Sequence, residues 1–139
     1  MHSNCDCCRD KFLISNFQNN NYFKLLNYCK QGKLNEAKII ASKNIIVVSL
    51  NNDFIFRNTC IHGQLKVAKW LINQFPCIDP QTENNEAFYK ACLNNFFHMA
   101  QWLYNLQISK SSKKIILKKE FIDTISDLKI KNWLSIINE

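Results

Sequence analysis

The chain has 139 residues, of which 47% are hydrophobic and 21% are charged, and its formal net charge is +7. This length allows one domain with one modest core, and this apolar content excludes a disordered polyelectrolyte. Only two glycines and two prolines occur. Most β-rich domains need more turn residues, so we predict an all-α fold of helices joined by short polar loops.

Residues 1–20 are predicted to form a leader or cap that precedes the folded repeats, and they contain no apolar signal core. His2, Cys5, Cys7 and Cys8 are residue types that zinc prefers, but adjacent cysteines and a one-residue gap do not suit a tetrahedral site. We therefore predict no metal and no cofactor. This cluster belongs to a disordered or redox-sensitive leader or to a packed cap for the first repeat, with zinc binding as the remaining alternative.

From residue 21 onward, the sequence matches itself at a shift of about 32 residues. Cys29, Cys60 and Cys92 anchor three copies and are spaced 31 and 32 residues apart. Around each anchor, an aromatic residue or leucine lies four residues earlier, Gly or Asn three residues later, and alanine eight residues later. Such a period is typical of a solenoid of stacked repeats.

Each copy predicts a pair of helices. Phe56 and Cys60 lie on one face of a first helix, and Gly63 then ends this helix in the left-handed conformation. The second helix carries an apolar stripe that includes Leu65 and Ala68. Since each pair is too small to bury its apolar face alone, we expect neighbouring pairs to cover one another.

Two residue types recur at the repeat period and are predicted to be structural. The anchor cysteines are expected to be small core residues, too far apart for disulfides with one another, and the thiols of an intracellular chain are expected to be reduced. Trp70, Trp102 and Trp133 are expected to form stacked aromatic packing between second helices.

The repeat domain spans 21–139, and we divide it into three to four repeats. The repeats lie at about 21–50, 51–82, 83–112 and 113–139. The last is a degenerate C-terminal capping repeat, in which Asp123 takes the place of the anchor cysteine and Ser126 that of the turn glycine. Because so short a stack can leave an apolar end uncovered, we predict a monomer or a weak homodimer.

These features resemble the ankyrin repeat, and the second copy, DFIFRNTCIHGQLKVAKWLINQFPCID at 53–79, carries the resemblance best. Phe56 matches the leucine of the family's T-P-L-H box, Cys60 its second alanine and Gly63 its turn glycine. The T-P-L-H box itself is absent, since Phe54–Arg57 stand in its place. The sequence pattern of the repeat, with the abundance of Asn, Ile and Lys, resembles the divergent ankyrin repeats of giant DNA viruses of amoebae.

The resemblance implies an ankyrin-like helix-turn-helix solenoid that acts as a non-catalytic protein-interaction module and binds a host or viral protein. It implies an intracellular location, in the host cytoplasm or, as the alternative, in the virion. It also implies that partners contact loop tips and exposed first-helix positions. The candidates are Lys30, Gln31, Asn51, Asn52, Asp53, Arg57, Ile61, His62, Glu83, Asn84, Asn85, Tyr89, Leu93 and Asn94.

Other function classes have weaker support in the sequence. Residues 110–119, KSSKKIILKK, contain five lysines and no acidic residue, so a basic adaptor for nucleic acid or an anionic surface is the alternative function. The whole chain has two arginines, the better residue for phosphate and base contacts, so we expect a solvated lysine face. His62 has no acidic residue three or four positions away, so no enzyme is predicted. No apolar run is long enough to span a bilayer.

Overall fold

The structure is a computed structural model that describes residues 19–43 and 48–139, and eight α-helices and no strands lie in these ranges. The helices are α1 (Asn19–Lys30), α2 (Leu34–Lys43), α3 (Leu50–Ile61), α4 (Leu65–Gln74), α5 (Thr82–Leu93), α6 (Phe97–Ser111), α7 (Lys119–Thr124) and α8 (Leu128–Ile137). The all-α prediction is confirmed. The proposed division into a leader and four repeats stays a prediction.

The helices pack as consecutive pairs: α1 with α2, α3 with α4, α5 with α6 and α7 with α8. The first helix α3 also packs against α1 and α5. First helices of neighbouring pairs therefore lie side by side in one layer, and each second helix packs onto the first helix of its own pair. This is the stacked solenoid that the repeat period predicts.

A left-handed residue separates the two helices in each of the first three pairs, as predicted. The φ angles are 74° at Gly32, 72° at Gly63 and 63° at Asn95. The next N–H in each turn bonds back to the carbonyl five residues earlier, for example from Gln64 to Thr59 at 3.1 Å. This arrangement ends the first helix and satisfies one of its last carbonyls.

The anchor cysteines Cys29, Cys60 and Cys92 are fully buried in the core and are free thiols. Burial raises the pKa of Cys29 and Cys92 to about 12 and raises that of Cys60 well above its ordinary value. The prediction that they pack as small core residues is confirmed. The expectation of reduced thiols is wrong for Cys77, which is disulfide-bonded.

Trp102 and Trp133 each contact a first-helix phenylalanine of the preceding pair, whereas Trp70 contacts Phe75 at the end of its own helix. The ring centroid of Trp102 lies 6.2 Å from that of Phe56, and the centroid of Trp133 lies 6.3 Å from that of Phe88. Trp133 also meets Tyr104 of α6 at 5.7 Å. Packing between second helices is therefore correct for Trp133, but the ring partner of Trp102 belongs to a first helix.

The fourth pair departs from the repeat in its first helix and in its turn. Helix α7 has only 6 residues, and Asp123 is exposed, so it does not take the core position of a cysteine. Ser126 is not left-handed, since the chain is extended at Ile125 and α8 begins at Leu128 with Asp127 as its N-cap. The Asp127 carboxylate accepts the N–H of Ile130 at 2.9 Å as an N-cap. The predicted roles of Asp123 and Ser126 are therefore wrong.

Candidate partner-binding surface

Equivalent positions at the C-terminal ends of α1, α3 and α5 form a row that we call the helix-end row. It consists of Lys30, Ile61 and Leu93 with the residues that follow them, Gln31, His62 and Asn94. Gln31, His62, Leu93 and Asn94 are exposed, whereas Lys30 and Ile61 are half-buried. Six of the predicted site residues therefore lie on three neighbouring helix ends.

Two side-chain amides connect this row to the neighbouring repeat. The Nε2 of Gln64 donates to the Lys30 carbonyl at 3.0 Å, and the Nδ2 of Asn94 donates to the Ile61 carbonyl at 2.9 Å. Each bond satisfies a carbonyl at a helix C-terminus that would otherwise lack an intrahelical partner. The turn of one repeat is thereby fixed against the first helix of the preceding repeat, and Asn94 has a structural role.

His62 follows α3, and its imidazole is exposed. Its Nδ1 lies 2.8 Å from the Asn58 carbonyl oxygen, so the ring is held against its own helix. Within residues 19–43 and 48–139, no group of three or more His, Cys, Asp and Glu side chains could hold a metal. The low-ranked metal candidates His2, Cys5, Cys7 and Cys8 lie outside the described residues.

Arg57 connects two first helices and is less accessible than a loop-tip contact. It forms an ion pair with Glu86 of α5, and its guanidinium carbon lies 5.5 Å from the Phe54 ring centroid. The side chain of Arg57 is only 12% exposed. The expectation that Arg57 is an exposed contact is therefore wrong. Glu86 was missed because only the register of two neighbouring repeats brings it to Arg57.

Tyr89 connects α5 to the short helix α7. Its ring meets the Phe121 ring edge-on, with centroids 4.7 Å apart. Burial raises the pKa of the Tyr89 hydroxyl, and the charge of a Cys92 thiolate would raise it further. Tyr89 is half-buried, so part of its ring remains accessible between the third and fourth repeats.

The N-terminal part of α3 contains the clearest error among the predicted site residues. Asp53 is 4% exposed, and its Oδ2 accepts the backbone N–H of Asp79 at 3.1 Å. Its φ is 59°, so the residue sits in a tight left-handed bend. Asp53 therefore connects the loop at Asp79 to α3 and is not a surface contact. Asn51 and Asn52 lie in α3, and their side chains are outside the description.

The corresponding segment of the third repeat is a left-handed tip. Glu83, Asn84 and Asn85 have φ angles of 54°, 54° and 62°. Glu83 and Asn84 are exposed and Asn85 is half-buried. Three successive left-handed residues cost roughly 1–2 kcal/mol each for most L-amino acids, and Asn tolerates the conformation better than most. This tip projects the predicted contacts from a constrained backbone.

The basic segment 110–119 is part of the packing of the fourth repeat. Its lysines are exposed, but Ile115 and Leu117 between them are buried. The Nζ of Lys114 donates to the backbone carbonyl of Glu139 at 2.9 Å. The side-chain amide of Asn138 accepts a hydrogen bond from the Leu117 N–H and donates one to the Leu117 carbonyl. The lysines therefore flank an anchored extended segment.

Residues 58–103 match the family model described as ankyrin repeats (many copies). The match runs from α3 into α6 and includes the turns at Gly63 and Asn95. This segment is therefore similar to ankyrin repeats, and together with the helical architecture it is consistent with an ankyrin-like helical solenoid. No curated protein and no solved structure matches the chain.

The type of repeat that matches this segment has a general function in other proteins. Ankyrin repeats generally mediate protein–protein interactions and are typically not enzymes. Across the helices that the structure describes, none has the length and apolarity needed to cross a membrane.

Proposed function

We propose that this chain is a non-catalytic module that binds another protein through the helix-end row and the left-handed tip at 83–85. The observation that carries this proposal is the repetition of accessible side chains at the same place on three neighbouring first helices. The hydrogen bonds donated by the Gln64 and Asn94 side-chain amides hold the neighbouring helix ends at a fixed spacing. A surface held in this way loses little conformational entropy when a partner binds.

The composition of this surface also supports protein binding. Leu93 is 41% exposed, and Ile61 lies at the equivalent position of the preceding repeat. The residues that follow the three helix ends in sequence, Gln31, His62 and Asn94, carry exposed polar side chains. An apolar centre with a polar border is the usual composition of a protein interface.

The proposal is tested with Leu93→Glu and a matched control, Ile136→Glu. Both replace an exposed aliphatic residue, but Ile136 is 65% exposed on the second helix α8, away from the first-helix layer. Immobilised chains are used to capture proteins from cell lysate, with quantitative mass spectrometry. A specific partner is one that the original chain and Ile136→Glu retain and Leu93→Glu loses.

The same experiment can contradict the proposal. If Leu93→Glu and His62→Glu retain the same proteins at the same abundance as the original chain, the helix-end row is not the binding surface. A photo-crosslinker placed at His62, compared with one at Lys110, gives an independent readout, because only the first is expected to label the partner.

We further propose that the chain is a viral ankyrin-repeat protein of the type found in giant DNA viruses of amoebae, and that it acts in the host cytoplasm. The support is the abundance of Asn, Ile and Lys and the sequence pattern of the repeats. Immunofluorescence and proteomics of infected amoebae and purified virions test this proposal. Detection of the chain in uninfected cells would contradict a viral source.

For the oligomeric state, we propose a monomer that forms at most a weak homodimer. The fourth repeat carries three strongly exposed aliphatic residues, Ile116, Leu128 and Ile136, at 87%, 73% and 65%. Exposed apolar residues at the end of a stack favour self-association. Light scattering over a concentration series should show a monomer mass at low concentration. A dimer mass throughout the series would contradict the proposal.

A further inference from the structure

A groove lies between the second helices α2 and α4, on the side of the stack away from the helix-end row. Its volume is about 430 Å³, within the range of about 300–1,000 Å³ that is usual for ligand pockets. It is lined by Lys38, Ala41, Ser42, Trp70, Gln74 and Phe75. The groove therefore combines an aromatic wall with a cationic and polar border.

The groove coincides with a break in the aromatic pattern of the repeats. In the next two interfaces, a second-helix tryptophan meets a first-helix phenylalanine, as Trp102 meets Phe56. The position equivalent to Phe56 in the first repeat is Leu25, which offers no ring. Trp70 instead meets Phe75 edge-on, with centroids 5.9 Å apart and an interplanar angle of 81°. Both rings line the groove and are half-buried.

Lys38 lines the groove, and the two helices that form it carry an excess of positive charge. Exposed lysines on α2, on α4 and just before α2 are Lys33, Lys38, Lys43, Lys66 and Lys69. Glu36 is the exposed acidic residue on these two helices, and among residues 19–43 and 48–139 no acidic side chain lines the groove. Clusters of one charge sign select partners of the opposite sign and accelerate their association.

We propose that this groove is a docking site for an acidic protein segment that inserts an apolar side chain against Trp70 and Phe75. The aromatic wall takes the apolar anchor, and Lys38 and the neighbouring lysines pair with flanking carboxylates. Trp, Tyr and Arg positions with well-packed pockets are where interface energy concentrates, and here Trp70 is that position. The site is separate from the helix-end row, so it does not depend on the function proposed above.

The probe for this site is a short synthetic peptide in which Asp and Glu flank a central Leu-Phe pair. A control peptide has Lys in place of Asp and Glu, and another has Gly-Gly in place of Leu-Phe. The readout is the ¹⁵N-edited NMR spectrum of the full chain, in which each tryptophan gives one indole N–H signal. We expect a saturable shift of the Trp70 signal, with Trp102 and Trp133 as internal references.

Two substitutions test the groove directly. Ser42→Trp fills the groove from an exposed position, and Ser135→Trp on α8 is its matched control, since Ser135 is also an exposed second-helix serine. Lys38→Glu reverses a charge at the border. We expect Ser42→Trp and Lys38→Glu each to weaken binding about tenfold or more, and Ser135→Trp to leave it unchanged.

Three results would overturn the proposal. They are the absence of a saturable Trp70 shift with the acidic peptide, equal binding of the lysine peptide, and unchanged binding by Ser42→Trp. The variant Leu93→Glu should bind the acidic peptide normally, because it alters only the helix-end row. Its loss of captured partners, with peptide binding intact, distinguishes failure of one site from failure of the other.

Discussion

Substitution of Gly63 by alanine tests the connection between repeats at the turn. Gly63 has a φ of 72°, and a Cβ at this position would lie 2.6 Å from Cδ1 and Cε1 of the Phe96 ring. Real Cβ atoms do not approach other atoms so closely, so the ring or the turn must move. Phe96 belongs to the next repeat, where it packs against the core. The strain is therefore expected at the interface between two repeats.

The expected cost has two parts. The left-handed conformation costs an alanine roughly 1–2 kcal/mol, and forcing a methyl group against a packed ring costs typically about 1–3 kcal/mol. Together they predict a loss of about 2–5 kcal/mol from a total stability of about 5–15 kcal/mol. With a urea m-value of about 2 kcal/mol per molar, the denaturation midpoint should fall by about 1–2.5 M.

Urea denaturation followed by circular dichroism measures this change. The matched position is Asn95, which occupies the same turn in the third repeat with a φ of 63°, and Asn95→Gly should keep or slightly raise the midpoint. The double variant Gly63→Ala, Phe96→Leu should lose less than the sum of its two single variants, because the smaller side chain relieves the contact. Additive losses, or an unchanged midpoint for Gly63→Ala, would refute the reasoning.

Other parts of the fold give further expectations. Gln64→Ala or Asn94→Ala removes a side-chain hydrogen bond between repeats, and each should lower the free energy of unfolding by about 0.5–1.5 kcal/mol in urea titrations. No loss for either would show that these bonds are dispensable. Asp127→Ala removes the N-cap of α8 and should cost about 0.5–2 kcal/mol, with faster amide exchange near Ile130; unchanged exchange there would contradict the cap. The pKa values of Cys29 and Cys92 rise to about 12 from 9.0. Unfolded thiols lose protons above about pH 9 while folded ones keep them, so stability should be constant below pH 9 and fall as pH rises towards 12. The fall should be about 1.4 kcal/mol per pH unit for each thiol and weaker in Cys92→Ala; identical pH profiles would contradict this cause.

The features that follow from local chemistry could be predicted from the sequence. Gly32, Gly63 and Asn95 are residues that tolerate a positive φ, and each follows an apolar helix face, so helix ends were correctly located. Cys60 and Ala68 are small where two helices meet, and this requirement is visible in one chain segment. The fourth repeat was less predictable, because an N-cap at Asp127 replaces the left-handed turn and changes the alignment.

The features that depend on contacts between repeats could not be read from one segment. Asp53 has the composition of a surface loop, but the backbone N–H of Asp79 bonds its carboxylate and the side chain is 4% exposed. Arg57 has the composition of an exposed contact, but Glu86 and Phe54 enclose it. Asp79 and Glu86 lie on other elements of the fold, and only Phe54 is a neighbour on the same helix face. Only the three-dimensional register determines which polar residues remain accessible.

The two proposed surfaces have opposite relations to the repeat pattern, and this difference explains which one the sequence could reveal. The helix-end row exists because the pattern is maintained, since Lys30, Ile61 and Leu93 occupy one position on three helices. The groove at Trp70 lies where the pattern fails, because Leu25 stands where the next repeats have phenylalanine. Alignment of the repeats therefore reveals the helix-end row, whereas the groove depends on a residue that differs between repeats. In a short solenoid, a ring that is absent from an otherwise regular aromatic series is therefore a reason to look for a groove at that interface.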